Sequence, residues 1–182
     1  MLAELAGLSV DATEAELKAL AADGLATFRE ARALWQLTPD GRAAHGHLLE
    51  ADAGRAGFRA GLGQSYGAFL ELNEGFKALC GDWQLRNGAP NDHSDASYDA
   101  AVIARLGAID DAAQPLCTAM GIVASRFQVY APRLAATRRL VEVGEAKMFT
   151  GVMCGSYHDV WMELHEDLIL TQGIDRAKEG SF

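Results

Sequence analysis

A strand ends and a helix begins within the stretch Trp35-Gln36-Leu37-Thr38-Pro39-Asp40-Gly41-Arg42. Thr38 has a side-chain oxygen that can accept a hydrogen bond from a free N–H of the first helical turn, so it suits the N-cap position. Pro39 then occupies the first helical position, where its missing N–H removes no hydrogen bond. We therefore predict a helix that begins at residue 39.

The residues before this helix predict two short helices and a β-hairpin. Apolar runs at 25–29 and 33–37 flank a short polar link, which is the pattern of a small hairpin. Upstream, a first helix ends at residues 7–9. A second helix begins near Asp11 or Thr13, whose side chains suit an N-cap, and it ends at Asp23-Gly24, where glycine can adopt the left-handed conformation.

Three motifs follow one another in residues 1–48. They are Leu-Ala-Glu-Leu-Ala-Gly-Leu-Ser at 2–9, Leu17-x-x-Leu20 followed by Gly24-Leu25, and the stretch at 35–42 that ends in Leu-Thr-Pro-Asp-Gly-Arg. Together they resemble the MarR-type winged helix-turn-helix. The resemblance implies a recognition helix at 11–22, a wing at 26–37 and DNA as a partner. The DNA-binding residues that we predict are Thr13, Lys18, Arg29 and Arg32.

In two respects the chain departs from that family. A first helix and a short strand precede the family's equivalent of residue 1, so we expect an incomplete module or a piece of a longer protein. Residues 1–48 also have four Lys and Arg against seven Asp and Glu, and three of the acids lie at 11–22. Because phosphate contacts normally involve Lys, Arg or backbone donors, the alternative is a winged helix retained for packing or protein contact.

Residues 49–182 predict an all-α domain for effector binding or dimerisation. From Pro39 onward we expect five or six helices, with a break near Gly61-Gly63 and a kink or an end at Pro115. Apolar residues at helical spacing predict a buried stripe: Tyr66, Phe69, Leu70, Phe76, Leu79, Cys80 and Trp83. The last helix should span 157–172, from the capping-box pattern Ser156-x-x-Asp159 to Gly173. The fold class is mainly α with a small β-hairpin wing.

Histidines and aromatic residues concentrate in segment 157–167. His158 and His165 are seven residues apart, about 10.5 Å of helical rise, and no His-x-x-x-His or Glu-x-x-His spacing occurs because residue 162 is Met. A metal site would need His93 or His45, so we predict no metal. The alternatives are core histidines or an organic-ligand pocket. The predicted ligand-binding residues are Trp83, Arg86, Asp92, His93, Tyr157, His158, Trp161 and His165.

The polar loop at 86–95 is the second candidate for function, because long polar loops in helical domains often bind ligands. The structural alternative is that Asn91 and Asp92 make local turn bonds while Ser94 or Asp95 caps the next helix. His93-Ser94-Asp95 is not a triad, because adjacent side chains do not converge. A basic group, Arg133, Arg138 and Arg139, either meets an anion or forms a solvated face near Glu142 and Glu145.

The second part of the chain has a fainter resemblance. The segments that carry it are Trp83-Gln84-Leu85-Arg86, Asn91-Asp92-His93-Ser94-Asp95 and residues 157–167. They resemble an uncharacterised helical region of actinobacterial proteins that is sometimes found behind a pyruvate phosphate dikinase-like segment. The resemblance implies an accessory module linked to a phosphoenolpyruvate-utilising protein, and it transfers no catalytic residue. No phosphate loop or nucleophile elbow is present in the sequence, so we predict no cofactor and consider an enzyme the minority interpretation.

Composition restricts the class of protein. The 182 residues hold 16 Lys and Arg against 25 Asp and Glu, so a non-specific polyanion binder is disfavoured. The cysteines, Cys80, Cys117 and Cys154, are odd in number and widely spaced, which favours free thiols in the cytoplasm. No apolar run is long enough for a membrane span. We predict a cytoplasmic transcriptional regulator that is a homodimer or has a partner chain. The alternatives are a small-molecule-binding accessory module and a metal-assisted enzyme using His93, His158 and His165.

Overall fold

The structure is a computed structural model that describes residues 2–55 and 57–174. It is mainly α, with a small antiparallel hairpin near the start of the chain, as the sequence predicts. The chain divides into two compact units, Met1–Phe58 and Arg59–Phe182, which we call unit 1 and unit 2. Residue 48, the predicted domain boundary, lies inside a helix of unit 1. No helix in the described ranges is both long enough and apolar enough to span a membrane.

Unit 1 has the order helix, helix, hairpin, helix. Its elements are α1 (Leu2–Ala6), α2 (Val10–Ala22), β1 (Ala26–Arg29), β2 (Leu34–Leu37) and α3 (Pro39–Ala53). The strands pair antiparallel, with Ala26 opposite Leu37 and Arg29 opposite Leu34. A 3₁₀ turn at Glu30–Arg32 connects them. The predicted hairpin is therefore confirmed.

The start of α2 differs from the prediction. Its N-cap is Ser9, whose hydroxyl accepts a hydrogen bond from the Ala12 N–H at 3.2 Å, and the helix begins at Val10 rather than near Asp11 or Thr13. Thr13 lies within the first turn, and its hydroxyl donates to the Ser9 carbonyl at 2.9 Å. A threonine inside a helix commonly bonds to a carbonyl four residues back. The end of α2 at Asp23-Gly24 is as predicted, with Gly24 at φ +73°.

The junction between β2 and α3 explains the Thr-Pro-Asp-Gly motif. Thr38 is the N-cap of α3: it accepts from the Gly41 N–H at 3.0 Å, and its own hydroxyl donates to the Gly24 carbonyl at 2.7 Å. Gly41 is buried against Leu25, and a Cβ at position 41 would overlap the Leu25 carbonyl oxygen. The motif therefore both starts α3 and connects it to the end of α2.

Unit 2 is a set of helices with one very short hairpin. Its elements are α4 (Phe58–Gln84, which begins at the last residue of unit 1), β3 (Leu85–Arg86), β4 (Ala89–Pro90), α5 (Ala96–Val123), α6 (Tyr130–Glu142), α7 (Lys147–Thr150) and α8 (Tyr157–Gln172), with a 3₁₀ helix at Ser125–Val129. Helix α6 contacts α5, α7 and α8. The largest fully buried side chains include Trp161, Tyr157, Phe69, Phe76, Phe127 and Phe149.

The interruption between α3 and α4 lies earlier in the sequence than the helix break that was predicted near Gly61-Gly63. Helix α3 ends at Ala53 and α4 begins at Phe58, after Gly57 at φ +77°, and α4 then continues through Gly61 and Gly63. The predicted break near 61–63 is therefore wrong. A Cβ at position 61 would lie 3.2 Å from a methyl carbon of Val123, so Gly61 allows close packing there. That long-range contact offsets the cost of glycine in a helix.

Two further expectations concern α5 and α8. Helix α5 continues past Pro115 to Val123, so the proline does not end it. Helix α8 matches its predicted range: Ser156 accepts from the Asp159 N–H at 3.1 Å, and Gly173 follows at φ +66°. Of the predicted apolar stripe on α4, Leu70 and Cys80 are only half-buried, and the other members are buried.

The sequence reasoning missed the β3–β4 hairpin. Leu85 pairs with Pro90 and Arg86 with Ala89. The strands are too short to show an alternating pattern, but the Asn87-Gly88 dipeptide between them is a hairpin signal, because both residues have positive φ, +53° and +80°. This turn fixes the start of the polar loop.

Candidate functional site

The predicted DNA-binding residues of unit 1 differ in exposure. Lys18 is exposed on α2, and its Nζ lies 2.8 Å from a Glu14 carboxylate oxygen. The hydrogen bond from Lys18, and then its charge, lower the pKa of Glu14. Arg29 and Arg32 are exposed on the hairpin, and the Arg29 Nε donates to the Gln36 side-chain oxygen at 3.1 Å. Thr13 is buried.

Unit 1 therefore offers Lys18, Arg29 and Arg32 as side-chain cations on α2 and the hairpin. Exposed guanidinium and ammonium groups can contact phosphate oxygens. Lys18 would have to leave Glu14, and surface ion pairs of this kind contribute little stability, so the exchange costs little. Thr13 is buried and its hydroxyl donates to the Ser9 carbonyl. This hydroxyl therefore stabilises the first turn of α2 and is not placed to contact DNA.

The predicted ligand-binding residues form two groups. Trp83, Arg86, Asp92 and His93 lie at the end of α4 and in the following hairpin and loop, and we call them the hairpin cluster. Tyr157, His158, Trp161 and His165 lie on α8, and we call them the α8 cluster. The two clusters have different environments.

In the hairpin cluster, the His93 imidazole is held by its neighbours. Its Nδ1 lies 2.9 Å from a carboxylate oxygen of Asp99, and its ring packs 4.5 Å from the Trp83 ring. Asn91 supports both partners, since its amide donates to the Trp83 carbonyl at 3.1 Å and to Asp99 at 3.0 Å. The Asn91 amide nitrogen also lies 3.3 Å from the same His93 Nδ1. The ring is thus oriented by Asp99 and Trp83, on an exposed residue of the loop.

The other members of the hairpin cluster also serve local structure. Arg86 donates to Asp95 at 2.7 Å, and its guanidinium carbon lies 4.8 Å from the Tyr98 ring centre. Asp95 is the N-cap of α5, and the hydrogen bond from the Ser97 side chain, with those from Tyr98 and Arg86, lowers its pKa to about 2. Asp92 is exposed and accepts from the Ser94 N–H at 3.0 Å. The loop therefore makes the turn bond of Asp92 and the helix cap of Asp95, and it also presents the exposed His93.

The α8 cluster belongs to the core. Trp161 is fully buried, its ring stacks 4.9 Å from Phe69, and its Nε1 donates to the Asn73 side-chain oxygen at 2.9 Å. Tyr157 is also buried, and burial raises the pKa of its hydroxyl. His165 is buried beside Phe69, whereas His158 is half-buried. These residues pack against protein rather than line an open surface.

A buried carboxylate behind α8 was not anticipated from the sequence. Asp110 is 2% exposed and accepts from the Tyr157 hydroxyl at 3.2 Å, from Gln114 at 3.0 Å and from Arg138 at 3.4 Å. Arg138 also pairs with Glu142 at 2.7 Å. A signal for burial existed, because Asp110 lies four residues after the apolar Leu106, on the same helix face.

The basic group on α6 is only partly a solvated face. Arg133 is 6% exposed and donates to Glu163 on α8 at 2.6 Å, so the expectation of a solvated side chain is wrong for this residue. Arg126 binds Asp167 at 3.1 Å, and the Tyr130 hydroxyl donates to the same carboxylate at 3.2 Å. These bonds connect α6 and the preceding 3₁₀ helix to α8.

The described ranges, 2–55 and 57–174, contain no group of three or more His, Cys, Asp or Glu side chains placed to hold a metal ion. His93 lies in the hairpin cluster, whereas His158 and His165 lie on α8. Cys80 and Cys117 are free thiols, and burial raises the pKa of each to about 12. Because the thiolate is the reactive form, neither is a nucleophile near neutral pH.

Comparison with known proteins gives no relative: no family model, no curated protein and no solved structure matches the chain.

Proposed function

We propose that the chain is a cytoplasmic transcriptional regulator of MarR type, in which unit 1 contacts duplex DNA through α2 and the β1–β2 hairpin. The observation that supports the proposal is the element order of unit 1, helix-turn-helix, hairpin, helix, with exposed arginines on the hairpin. In this arrangement α2 would enter a groove while Arg29 and Arg32 contact the backbone.

The energetics of such binding would rest on a few phosphate contacts. Unit 1 is acidic overall, so affinity has to come from the local placement of Lys18, Arg29 and Arg32. A homodimer would double these contacts and align them with a two-fold symmetric site. We propose unit 2 as the dimerisation or effector-binding part, with the hairpin cluster around His93 as its exposed polar site for a small molecule.

Fluorescence anisotropy of a labelled random duplex, at about 50 and about 200 mM salt, tests this proposal. We expect binding that weakens steeply with salt. The Arg29→Ala, Arg32→Ala double variant should bind more weakly and lower the salt slope by about 2, because each lost phosphate contact removes about 1 from that slope.

Arg55→Ala is the matched control. Arg55 is an exposed arginine of the same unit that pairs with Asp52 at 2.8 Å, after the end of α3. Its substitution should leave DNA affinity unchanged. Folded protein that fails to bind at about 50 mM salt, or a double variant that binds as well as the parent, would refute the DNA-binding role.

The acidic face of α2 favours a second candidate, an accessory module that binds a small molecule or a partner protein and no DNA. Glu14 already neutralises Lys18, and Asp11 and Glu16 add negative charge to the same helix. This candidate predicts no DNA binding at any salt concentration. It also predicts that the His93 ring signals in an NMR spectrum shift when the ligand or partner is added.

A further inference from the structure

The turn between β3 and β4 consists of two residues, Asn87 and Gly88. Both are exposed, both have positive φ, +53° and +80°, and they connect the paired residues Arg86 and Ala89. A two-residue turn with positive φ at both positions is a type I′ turn, for which Asn-Gly is a preferred sequence. The turn thus places an asparagine side chain next to the backbone nitrogen of a glycine at an exposed tip.

This pair of residues has a specific chemical reactivity. Asparagine is a thermolabile residue, because the backbone nitrogen of the next residue can attack its side-chain carbonyl carbon. A side chain on that next residue hinders the attack, and glycine has none. In the described ranges, neither the Asn87 side chain nor the Gly88 N–H forms a hydrogen bond with the protein. The two reacting groups are therefore both accessible and unrestrained.

The reaction requires the backbone at Asn87 to rotate out of the turn, and this hairpin resists that rotation weakly. Strands β3 and β4 have two residues each, with Leu85 opposite Pro90 and Arg86 opposite Ala89. Hairpins of two strands are marginal by themselves, and exposed turns open locally at a small cost in free energy. The attack therefore requires only local opening of the hairpin and no unfolding of the core of unit 2.

The sequence holds two other asparagines, Asn73 and Asn91, and both are held in place. Asn73 is 2% exposed, and its side-chain oxygen accepts the indole N–H of Trp161 at 2.9 Å. The Asn91 amide donates to the Trp83 carbonyl at 3.1 Å and to Asp99 at 3.0 Å. Each also precedes an acidic residue, whose side chain hinders the attack. The chain therefore has one susceptible asparagine and two protected ones.

We propose that Asn87 is a site of spontaneous covalent modification, at which its side-chain amide converts to a carboxylate through a cyclic imide with Gly88. The Gly88 nitrogen loses its proton and bonds to the Asn87 Cγ, and the side-chain nitrogen leaves as ammonia with that proton. Water then opens the ring. Cleavage of the new bond gives aspartate, whereas cleavage of the original peptide bond gives isoaspartate, in which the backbone runs through the side chain.

The isoaspartate product changes the backbone of the hairpin as well as its charge. It inserts the Cβ atom of residue 87 into the main chain, so the two-residue turn and the pairing of Arg86 with Ala89 are lost. Arg86 donates to Asp95, the N-cap of α5, at 2.7 Å. The modification therefore disturbs the hairpin cluster. This inference rests neither on DNA binding nor on ligand binding by unit 2.

Ageing of the purified full chain tests the proposal. Mildly alkaline buffer at physiological temperature promotes loss of the Gly88 proton, and digestion with mass spectrometry then locates each converted amide. We expect residue 87 to gain the mass difference between an amide and an acid and to be labelled by an isoaspartyl-specific methyltransferase. Asn73 and Asn91 are internal references and should keep their amides. An Asn87 that keeps its amide as long as these two would overturn the proposal.

Asn87→Gly is the matched control, because Gly-Gly also suits a type I′ turn and has no amide to convert. We expect this variant to fold like the parent and to show no gain of mass on ageing. A gain equal to that of the parent would assign the modification to another residue and refute the site. Asn87→Asp carries the new charge on an intact backbone. The NMR amide signals of Arg86 and Ala89 should therefore shift in the isoaspartate fraction of aged parent and change little in Asn87→Asp.

Discussion

Unit 1 and unit 2 are stabilised in different ways. Among the described residues of unit 1, only Thr13, Ala26, Gly41 and Phe58 are buried. Unit 2 buries large aromatic side chains, Trp161, Tyr157 and Phe69 among them. Unit 1 depends instead on caps and backbone contacts where Thr38 and Gly41 meet Gly24 and Leu25.

The difference shows where each unit tolerates substitution. In unit 2 the free energy of folding comes mainly from removing apolar surface from water, so cavities are costly there. In unit 1 the free energy of folding depends on the contacts of Thr38 and Gly41 with the residues that follow α2. A single methyl group added at this junction can therefore be costly. Three substitutions test this contrast.

The largest effect should come from the core of unit 2. Trp161→Ala leaves a cavity beside Phe69 and Phe76 and removes the bond to Asn73, so we expect a loss of about 3–5 kcal/mol. Urea unfolding followed by circular dichroism measures it. Leu170→Ala is the control on the same helix, because Leu170 is 43% exposed. Equal losses in the two variants would contradict a stability based on the core.

An intermediate effect is expected at the junction of unit 1. In Gly41→Ala the new methyl group would meet the Leu25 carbonyl, and we expect a loss of about 1–3 kcal/mol. Gly46→Ala on the same helix has no atom within 4 Å of the new methyl group and should be stabilising by about 0.5–1 kcal/mol. Hydrogen exchange of the α3 amides measures both changes. The same sign in both variants would show that close packing at Gly41 does not matter.

The smallest effect concerns pH. The folded-state pKa of Asp95 is about 2, below its ordinary value of 3.8, so its ionised form stabilises unit 2. This contribution is fully present above pH 3.8 and is lost as the pH falls through about 2. Asp95→Asn should remove that part of the pH dependence of Tm. An NMR titration of the Asp95 carboxyl carbon with a midpoint near 4 would contradict the prediction.

Local features were predictable from the sequence because they depend on neighbouring residues. The caps at Thr38 and Ser156 and the helix end at Gly173 each involve atoms within about one turn, and all three are confirmed. The β1–β2 hairpin followed from composition in the same way. The mainly α fold class therefore required no knowledge of tertiary contacts.

Long-range contacts determine what the sequence did not predict. Gly61 is accommodated in α4 by Val123, and Asp110 is buried by a tyrosine 47 positions later. Arg133 looked like a surface residue because its partner, Glu163, lies on another helix. In the candidate site, the sequence identified His93 and the local turn bond of Asn91, but it missed Asp99, which orients the His93 ring. The role of Asp99 depends on the fold of the loop.

The positions of the tryptophans make the chain its own spectroscopic reporter. The sequence holds three, Trp35, Trp83 and Trp161. Trp35 is half-buried on the hairpin of unit 1 beside Phe28, whereas Trp83 and Trp161 are buried in unit 2. A protein without Trp35 would therefore report the emission of unit 2 alone, with both core tryptophans in place. Unit 2 can thus be followed optically without an attached dye.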